Sequence, residues 1–369
     1  MIRVLWVLAG FAALVAVPSA CSKFSASSSD EPADAGVDVA TAAEGSAPTL
    51  EHRVYVFGGV TSGTAPITSA YVSVVSANGD LGNWTKLPPL DESRYAAVWA
   101  QVGDTLVAVS GTVQQSPFSR SGERTTLPHA AEPATAWTTT TPMATGRDHA
   151  AAMVRGNSLY VSGGKNAAGA VPNVERYDTT HDSWVGAGPM PVGVVGHATL
   201  VRKDAAYVVG GDRLGTSGPT TSISKASFAD DGSLLAFMPG GALQAPLAYH
   251  SVAVVEPWLF TIGGATATSA VPAVSRGTFD AAGSVSAWES KASLPLPGTQ
   301  AGLADACTVV LDRTIYVIGG RDGVAAPSSK PDVYVGRVDD VGVVTWTKGP
   351  LLPEARYALG CAISPSSAP

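Results

Sequence analysis

The sequence has little charge, and its positive charge is nowhere concentrated. Charged residues make up 14% of the 369 residues, the formal net charge is −7, and no cluster of lysine and arginine occurs. Binding to phosphate backbones needs a concentrated basic surface. Nucleic acid is therefore not expected as a partner.

The sequence also lacks the short motifs of common catalytic and metal sites. It contains no Gly-x-Ser-x-Gly nucleophile elbow, no His-Glu-x-x-His pair and no phosphate-binding glycine loop between a strand and a helix. The turns at Asn78-Gly79 and at residues 230–232 have hairpin chemistry, without the spaced Asp and Asn residues of a calcium loop. We expect no cofactor and no metal ion.

The one long apolar run lies at the N-terminus and is too short to cross a membrane. Residues 4–17 are apolar, Arg3 precedes them and small residues follow, whereas a spanning helix needs about 20 apolar residues. This pattern predicts a secretory signal peptide over residues 1–20 and an exported protein.

Cys21 follows these small residues and resembles the lipidation site of bacterial lipoproteins, although Pro18 stands where that family prefers leucine. Acyl chains on Cys21 would anchor the protein stably, and Ser22 resembles outer-membrane sorting. We favour a protein anchored in the outer membrane, on its periplasmic side or at the cell surface. The alternative is cleavage after Ala20, which gives a soluble secreted protein.

Composition divides the rest of the chain into a tether, one domain and a short tail. Residues 21–50 are rich in Ser, Ala, Asp and Glu, which predicts a disordered tether after the lipidated cysteine. No second linker interrupts residues 51–364, and residues 365–369 form a tail. The chain has 40 glycines and 26 prolines, which favours short strands and turns over helices.

The domain contains six copies of one pattern. Each copy has an apolar run, then a pair of small residues, and a bulky aromatic 20 to 26 residues later. The pairs are Gly58-Gly59, Ser110-Gly111, Gly163-Gly164, Gly210-Gly211, Gly263-Gly264 and Gly319-Gly320. The aromatics are Trp84, Trp137, Trp184, Phe237, Trp288 and Trp346. Successive pairs are 52, 53, 47, 53 and 56 residues apart, which is the signature of a repeat architecture.

Each repeat is predicted to contain four short strands. The apolar run before each pair is nearly continuous, as in strands covered on both faces. One strand precedes it through a tight turn, and two strands follow it, the last of which carries the aromatic. Six four-stranded antiparallel units arranged around an axis predict an all-β, six-bladed β-propeller.

These residues resemble the kelch repeat. The features that match are the glycine pair, a Tyr-Asp, a tryptophan, a Pro-Met or Pro-Leu and an arginine, and the third copy matches most closely. Its matching residues are Arg147, Gly163-Gly164, Tyr177-Asp178, Trp184 and Met190. The resemblance extends over nearly all of residues 51–364, and it implies a propeller whose glycines permit close backbone approach and whose aromatics pack between blades.

The ends of the domain predict how the ring closes. The first copy begins with its second strand, residues 52–57, and residues 354–363 have the form of a first strand with no copy after them. We expect this C-terminal strand to pair with the first blade, and we expect deletion of residues 357–369 to destabilise the whole domain.

Function is expected on the face with the long loops, near the central channel. Three arginines follow the aromatics of three copies by ten residues and introduce first strands of adjacent blades: Arg94, Arg147 and Arg356. Val194, Leu247 and Gly298 stand at the corresponding places in the other copies. Arginines along one half of the mouth could bind a carboxylate or phosphate.

The alternative is a structural role for these arginines, which we favour because acidic residues lie within two positions of each: Glu92, Asp148 and Glu354. Further polar residues follow the glycine pairs, and they either contribute to the site or form an ordinary solvated rim: Lys165, Asp212, Arg213, Arg321 and Asp322.

Histidines and cysteines complete the candidates. His149, His197 and His250 align at one first-strand position in successive copies, but neighbouring blades place equivalent positions too far apart for one metal ion. Cys307 and Cys361 align at positions of the same parity in first strands, so that we expect two buried free thiols.

Two functions follow from the resemblance. We favour a monomeric, non-enzymatic binding protein at the cell envelope whose ligand is a protein or a glycan. The alternative is a carbohydrate enzyme, because six-bladed kelch proteins include exported sialic acid mutarotases. Such an enzyme would need a carboxylate and an arginine near the axis, for which we nominate Glu92 with Arg94 and Glu354 with Arg356. Copper chemistry of the galactose oxidase type is not expected, because neither cysteine lies on a mouth loop.

Overall fold

The computed structural model describes residues 52–62, 65–114, 116–127, 136–325 and 327–364, apart from the side chain of residue 216. The predicted signal peptide, Cys21, the tether and the tail all lie outside these residues. The described part is all-β, with 28 strands and one short 3-10 helix, Gly215–Ser217. Within it, no helix is long and apolar enough to cross a membrane.

The strands up to the middle of the domain are β1 (Arg53–Phe57), β2 (Ala70–Val74), β3 (Thr85–Leu87), β4 (Arg94–Tyr95), β5 (Val98–Val102), β6 (Thr105–Val109), β7 (Thr112–Val113), β8 (Gly122–Thr126), β9 (Thr138–Thr139), β10 (Ala151–Arg155), β11 (Ser158–Ser162), β12 (Lys165–Asn166), β13 (Gly169–Ala170), β14 (Asn173–Asp178) and β15 (Ser183–Pro189). The strands after it are β16 (Ala198–Arg202), β17 (Ala205–Val209), β18 (Thr220–Ser227), β19 (Met238–Leu247), β20 (Ser251–Val255), β21 (Trp258–Ile262), β22 (Val274–Phe279), β23 (Val285–Lys291), β24 (Cys307–Leu311), β25 (Thr314–Ile318), β26 (Val333–Val338), β27 (Val344–Lys348) and β28 (Gly360–Ile363).

Four sheets have four strands each, in the orders β28-β1-β2-β3, β5-β6-β8-β9, β10-β11-β14-β15 and β24-β25-β26-β27. A fifth sheet has eight strands and consists of two four-stranded parts, β16 to β19 and β20 to β23. Only one parallel bridge, between Gly241 and Val285, joins these parts. We number the four-stranded units 1 to 6 along the chain, beginning with the unit that contains β1.

The arrangement of the units is propeller-like. The first strands of successive units contact one another, in the order β5, β10, β16, β20, β24 and β28, and β28 also contacts β5. β28 pairs antiparallel with β1, from Val54 opposite Ile363 to Phe57 opposite Gly360. The C-terminal strand therefore completes the sheet of the first unit, as the sequence predicted.

The second strand of each unit is the most deeply buried. In β1, β6, β11, β17, β21 and β25 the four residues after the first are all buried. Apolar clusters join neighbouring units, so that both faces of these strands are covered; Val54 and Val56 of unit 1, for example, pack with Tyr316 and Ile318 of unit 6. The prediction of strands covered on both faces is confirmed.

The glycine pairs have the predicted steric cause. Gly164 has a φ of +81°, and a Cβ there would lie 2.5 Å from the backbone oxygen of Asp148. Neither the conformation nor the approach suits a residue with a side chain. The aromatics also pack between units, and the Trp184 indole N–H donates to the Thr141 carbonyl of the preceding unit at 2.9 Å.

The prediction of two free thiols is wrong, because Cys307 and Cys361 form a disulfide with a Cα–Cα distance of 6.0 Å. Cys307 pairs with the last residue of β25, and Gly360 pairs with the last residue of β1, each just before a glycine pair. Cys361 is therefore one position further along its strand than Cys307. Side chains alternate along a strand, so the two sulfurs face each other across the interface between β24 and β28.

Candidate functional site

The three arginines of the repeat are buried inside their units. The Arg147 side chain is 0% exposed and donates to the carbonyl oxygens of Gly163, at 3.1 Å, and Asn173, at 2.8 Å. It also forms an ion pair with Glu175. Burial lowers the pKa of Arg147, and the nearby Glu175 carboxylate opposes this effect.

Arg94 and Arg356 occupy the same kind of slot. Arg94 forms ion pairs with Glu92, at 2.5 Å, and Glu123, at 3.0 Å, and burial raises the pKa of Glu123. Arg356 forms an ion pair with Glu354 at 2.8 Å and lies over the Tyr71 ring. Both also donate to backbone carbonyls.

These arginines therefore tie the glycine pairs and the third strands to the first strands. Their guanidinium groups turn back into the protein, onto the carboxylates of Glu92 and Glu354 in two cases. Their role as ligand-binding residues, with Glu92 and Glu354, stays untested. In unit 6 the position equivalent to Arg147 is held by Leu303, not by Gly298. The β-bridge between Ala304 and Arg321 matches the one between Asp148 and Lys165, which fixes this alignment.

A cyclic set of backbone hydrogen bonds lies where the six first strands begin. One residue from each unit donates its N–H to the carbonyl of the residue from the preceding unit, at distances from 2.6 to 3.0 Å. The six ring residues are Ala96, His149, Gly196, Tyr249, Asp305 and Ala358. All have positive φ, between 48° and 58°. His149 belongs to this ring, whereas His197 and His250 lie one position later in their units, so the predicted alignment of the three histidines is wrong by one residue.

Only three of the ring residues carry a side chain larger than alanine, and these converge on one another. The Tyr249 ring meets the His149 ring edge-on, with centroids 5.4 Å apart. Gly196 lies beneath Tyr249, and a Cβ at Gly196 would come within 2.4 Å of the tyrosine ring. Tyr249 thus extends across unit 4 towards unit 3.

The third ring side chain, Asp305, binds Arg321. Arg321 Nε donates to Asp305 Oδ2 at 2.5 Å, and its guanidinium lies 5.3 Å from the Tyr249 ring centroid and 5.8 Å from that of Tyr357. Asp305 raises the pKa of Arg321 despite burial. Burial and the carboxylates of Asp305 and Asp212 raise the pKa of Tyr249. We call His149, Tyr249, Asp305, Arg321 and Tyr357 the mouth.

The other polar residues predicted for this face surround the mouth. Lys165 Nζ lies 3.9 Å from Asp148 Oδ1, which also accepts a hydrogen bond from His149 Nδ1 at 3.0 Å. Asp212 accepts a hydrogen bond from the backbone N–H two residues later, and Asp322 pairs with Lys330 at 2.6 Å. Arg213 is exposed. Lys165 and Arg321 thus lie beside Asp148 and the ring residue Asp305, whereas Arg94, Arg147 and Arg356 lie within their units.

A cavity of about 140 Å³ lies on the axis, since all six ring residues line it together with His197 and His250. Burial lowers the pKa of His197 to about 3, with His250 as a second cause, and lowers that of His250 to about 4. Both imidazoles are therefore neutral near pH 7. Among the described residues, no group of three or more His, Cys, Asp and Glu side chains is arranged to hold a metal ion.

Sequence reasoning missed Tyr249, Asp305 and Tyr357. A signal for them exists in the repeat. When the first strands are aligned by their pairing with the second strands, His149, Tyr249 and Asp305 fall at one repeat position. The regular spacing instead favoured the arginines, which lie two residues before this position and point away from the axis.

The comparisons with known proteins agree with this geometry. Residues 146–191 match the family model of the kelch motif, which covers unit 3 with Arg147 and Trp184. No curated protein sequence matches the chain. Among solved structures, that of YjhT is similar, with a TM-score of 0.60 and 18% sequence identity over 74% of this chain and 88% of that chain. At this identity the likeness concerns the fold alone. The chain therefore carries a kelch motif in unit 3, within a propeller-like arrangement of repeated units.

Proposed function

We propose that the domain is a closed propeller of six four-stranded blades. The eight-stranded sheet counts as two blades, because a single bridge joins its halves. The cyclic order of the first strands and the six-membered hydrogen-bond ring support this count. The pairing of β28 with β1 supports closure within the first blade.

We further propose that the domain is a binding protein whose mouth holds a glycan, or a similarly small group on a protein. The observation that carries this proposal is the convergence of His149, Tyr249, Asp305 and Arg321 over the axial cavity. Aromatic faces beside paired charges offer apolar contacts and hydrogen bonds to a sugar ring. In a structure without an assigned ligand, a pocket with a few convergent polar groups is the default candidate for a binding site.

Larger clefts lie elsewhere but offer less chemistry. One of about 410 Å³ lies on the opposite face between units 6 and 1 and is lined mainly by the hairpins at residues 74–79 and 311–314. These hairpins already serve the contact between units, where the Tyr316 hydroxyl donates to the Gly79 carbonyl at 2.8 Å. The mouth is therefore the better candidate.

The cellular setting is part of the proposal. An exported protein with a lipidated Cys21 would display the propeller at the outer membrane on a tether, as a monomer. Cleavage after Ala20 would instead release the same propeller, and the mouth would be unchanged.

A second candidate is a carbohydrate enzyme of the sialic acid mutarotase type. The specific observation in its favour is that Asp305 and Arg321 form a carboxylate and arginine pair at the axis. The pairs nominated from the sequence, Glu92 with Arg94 and Glu354 with Arg356, instead bind each other inside the blades. An enzyme would therefore use Asp305 to move the proton of a sugar hydroxyl.

A glycan-binding screen with the purified exported chain tests the binding function. We expect Arg321→Ala and Tyr249→Ala to weaken the binding of any selected glycan by at least about tenfold, the cost of losing a central contact. Arg202→Ala on the opposite face, where Arg202 pairs with the exposed Glu256, is the matched control. Binding that survives both mouth substitutions would contradict the proposal.

The rate of anomer interconversion distinguishes an enzyme from a binding protein. Exchange spectroscopy would follow the interconversion of sialic acid anomers with and without the protein. Acceleration that Asp305→Asn abolishes would favour the enzyme, whereas binding without acceleration would favour the binding protein.

A further inference from the structure

The Cys307–Cys361 disulfide occupies a special place among the contacts between first strands. Other neighbouring first strands meet through hydrogen bonds, such as Thr199 Oγ1 to the Ala152 carbonyl at 2.5 Å and Ser251 Oγ to the Ala306 carbonyl at 3.0 Å. Between β24 and β28 the link is covalent. Among the described residues, this is the one disulfide.

The strand that the disulfide holds is also the one that completes unit 1. β28 has only four residues, and its ladder with β1 has four residue pairs. The other strands of unit 1 lie about 300 residues earlier in the sequence. β28 is therefore the strand whose detachment would open the ring, and the disulfide holds it in place from the side of unit 6.

The same disulfide lies beneath the mouth. Asp305 precedes Cys307 by two residues, and Ala358 precedes Cys361 by three. The Ala358 N–H donates to the Asp305 carbonyl at 2.9 Å within the ring. Tyr357, next to Ala358, lies over Arg321. The disulfide thus joins the two segments that supply the ring contact and the Arg321 contacts at this side of the mouth.

We propose that Cys307–Cys361 is a redox-sensitive latch that makes closure of the propeller, and the order of the mouth, depend on oxidation. In the oxidised protein β28 is held against both β24 and β1. In the reduced protein the covalent link to β24 is lost and only noncovalent contacts hold β28, so it detaches locally and the segment from Tyr357 to Ile363 becomes mobile. The effect on ligand binding rests on the function proposed above, but the detachment of β28 does not.

The chemistry is thiol–disulfide exchange. The thiolate of one cysteine attacks the disulfide of an oxidised dithiol oxidoreductase or of oxidised glutathione, forming a mixed disulfide and releasing one thiolate. The thiolate of the second cysteine then attacks the mixed disulfide at the sulfur of the first. The Cys307–Cys361 bond forms, the second thiolate of the oxidant leaves, and the two electrons reside on the reduced oxidant. Reduction follows the same steps in reverse.

Hydrogen exchange measured by mass spectrometry on the full exported chain, with the disulfide intact and after reduction, tests the latch. We expect reduction to raise exchange at least tenfold in peptides covering residues 357–363 and 53–57. Peptides covering β16 and β17 in unit 4 should keep their protection. Equal exchange in both redox states would overturn the proposal, as would a disulfide that resists reduction in the folded protein.

A Cys307→Ala/Cys361→Ala variant supplies the control. It should exchange like the reduced protein and show no response to reductant. If reduction or the double substitution exposes all units equally, the disulfide stabilises the whole domain and is no local latch. A β28 response without any glycan binding by the oxidised protein would support the latch while contradicting the proposed function.

Discussion

At the scale of single residues, two buried histidines make the stability of the domain depend on pH. His197 and His250 pack against the glycine pairs of units 3 and 4, where the His197 ring fills the space beside Gly163 and the His250 ring that beside Gly210. Among the described residues, neither ring nitrogen of His250 has a hydrogen-bond partner. Both imidazoles are therefore held in their neutral form.

We expect acid to destabilise the domain through these histidines. The pKa of each is near 6.5 in the unfolded chain and falls to about 3 for His197 and about 4 for His250 on folding. The unfolded state therefore binds more protons below pH 6.5, and stability is lost as the pH falls from there towards these values. At pH 5 the loss should be about 2 kcal/mol per histidine. Urea unfolding at pH 7, 6 and 5 measures it.

His250→Leu isolates the contribution of one imidazole. Leu359 occupies the equivalent position in unit 1, so leucine suits the site. The variant should show a shallower loss of stability between pH 7 and pH 5. An unchanged slope in His250→Leu would show that His250 is not responsible.

We expect Arg147→Met to destabilise the domain by about 3–5 kcal/mol, because it leaves Glu175 as a buried charge without its partner. Denaturant unfolding measures the change. Arg155→Ala removes an exposed pair with Asp204 and should cost less than about 1 kcal/mol. Equal costs for the two variants would contradict a structural role for the buried arginine.

At the scale of elements, the same hydrogen bonds between neighbouring units recur along the chain. A second-strand tyrosine donates to the turn carbonyl of the next unit at 2.8 Å in three cases: Tyr160 to Gly232, Tyr207 to Gly283 and Tyr316 to Gly79. Cations on the third strands donate to these three turns and to a fourth, the turn at Val341: Arg176 to Asp231, Lys225 to Ala282, Arg337 to Asn78 and Arg276 to Val341. These hydrogen bonds between neighbouring units, which we call the turn clamps, lie on the face opposite the mouth.

Tyr207→Phe should cost about 1 kcal/mol, the usual net worth of one hydrogen bond. Phe260 already occupies the equivalent position in unit 5, so the ring itself is tolerated. Thermal unfolding measures the change, and Phe279→Leu, which keeps the Tyr207 hydroxyl bond but reduces its aromatic neighbour, separates packing from hydrogen bonding. No change in Tyr207→Phe would mean that the clamp is not stabilising.

β28 is the element on which the ring depends. Deleting residues 357–369 removes this strand with the buried Leu359 and Ala362 and leaves β1 with an unpaired edge. We expect Tm to fall by roughly 10 °C or more. Deleting only residues 365–369 should leave Tm unchanged, and similar melting of the longer truncation and the intact chain would refute closure by this strand.

At the scale of the whole molecule, the two ends of the domain meet. Arg53 N–H donates to Ser364 Oγ at 2.7 Å, and His52 Nδ1 lies 3.5 Å from the Ser364 carbonyl oxygen. The closed ring proposed above has no preferred starting blade, so a short linker between residues 364 and 52 should allow new termini in an exposed turn.

We expect a circular permutant with termini between Gly156 and Asn157 to fold, with a Tm within roughly 5 °C of the parent. These residues form the turn between β10 and β11, and the space beside Gly156 is open. A permutant cut between Tyr160 and Val161, inside the buried β11, is the control and should not fold. Failure of both would indicate that the ring is not closed in the proposed way.

The repeat pattern was sufficient to predict the propeller, because each unit carries its own apolar second strand, glycine pair and aromatic. Those signals are local and periodic, so they survive in a single sequence. They also predicted the partner of the C-terminal strand, since the first unit lacks one strand and residues 354–363 supply it.

Only the tertiary structure decided which side chains meet at the axis. The regular spacing of the arginines predicted that they line the mouth, yet their long side chains turn inward to backbone carbonyls of the glycine pairs and of the residues before the third strands. Tyr249 meets Asp305 and Arg321 because the ring places the first-strand starts of units 5 and 6 side by side, a relation that sequence spacing does not contain.

The disulfide shows the same limit most clearly. Sequence alone determined that Cys307 and Cys361 lie in first strands that flank one interface. Their registers differ by one residue, and one residue reverses the side of the strand to which a side chain points. The pairing of each strand with its own neighbour sets that register, and the two cysteines, which were expected to face different interfaces as free thiols, form a disulfide.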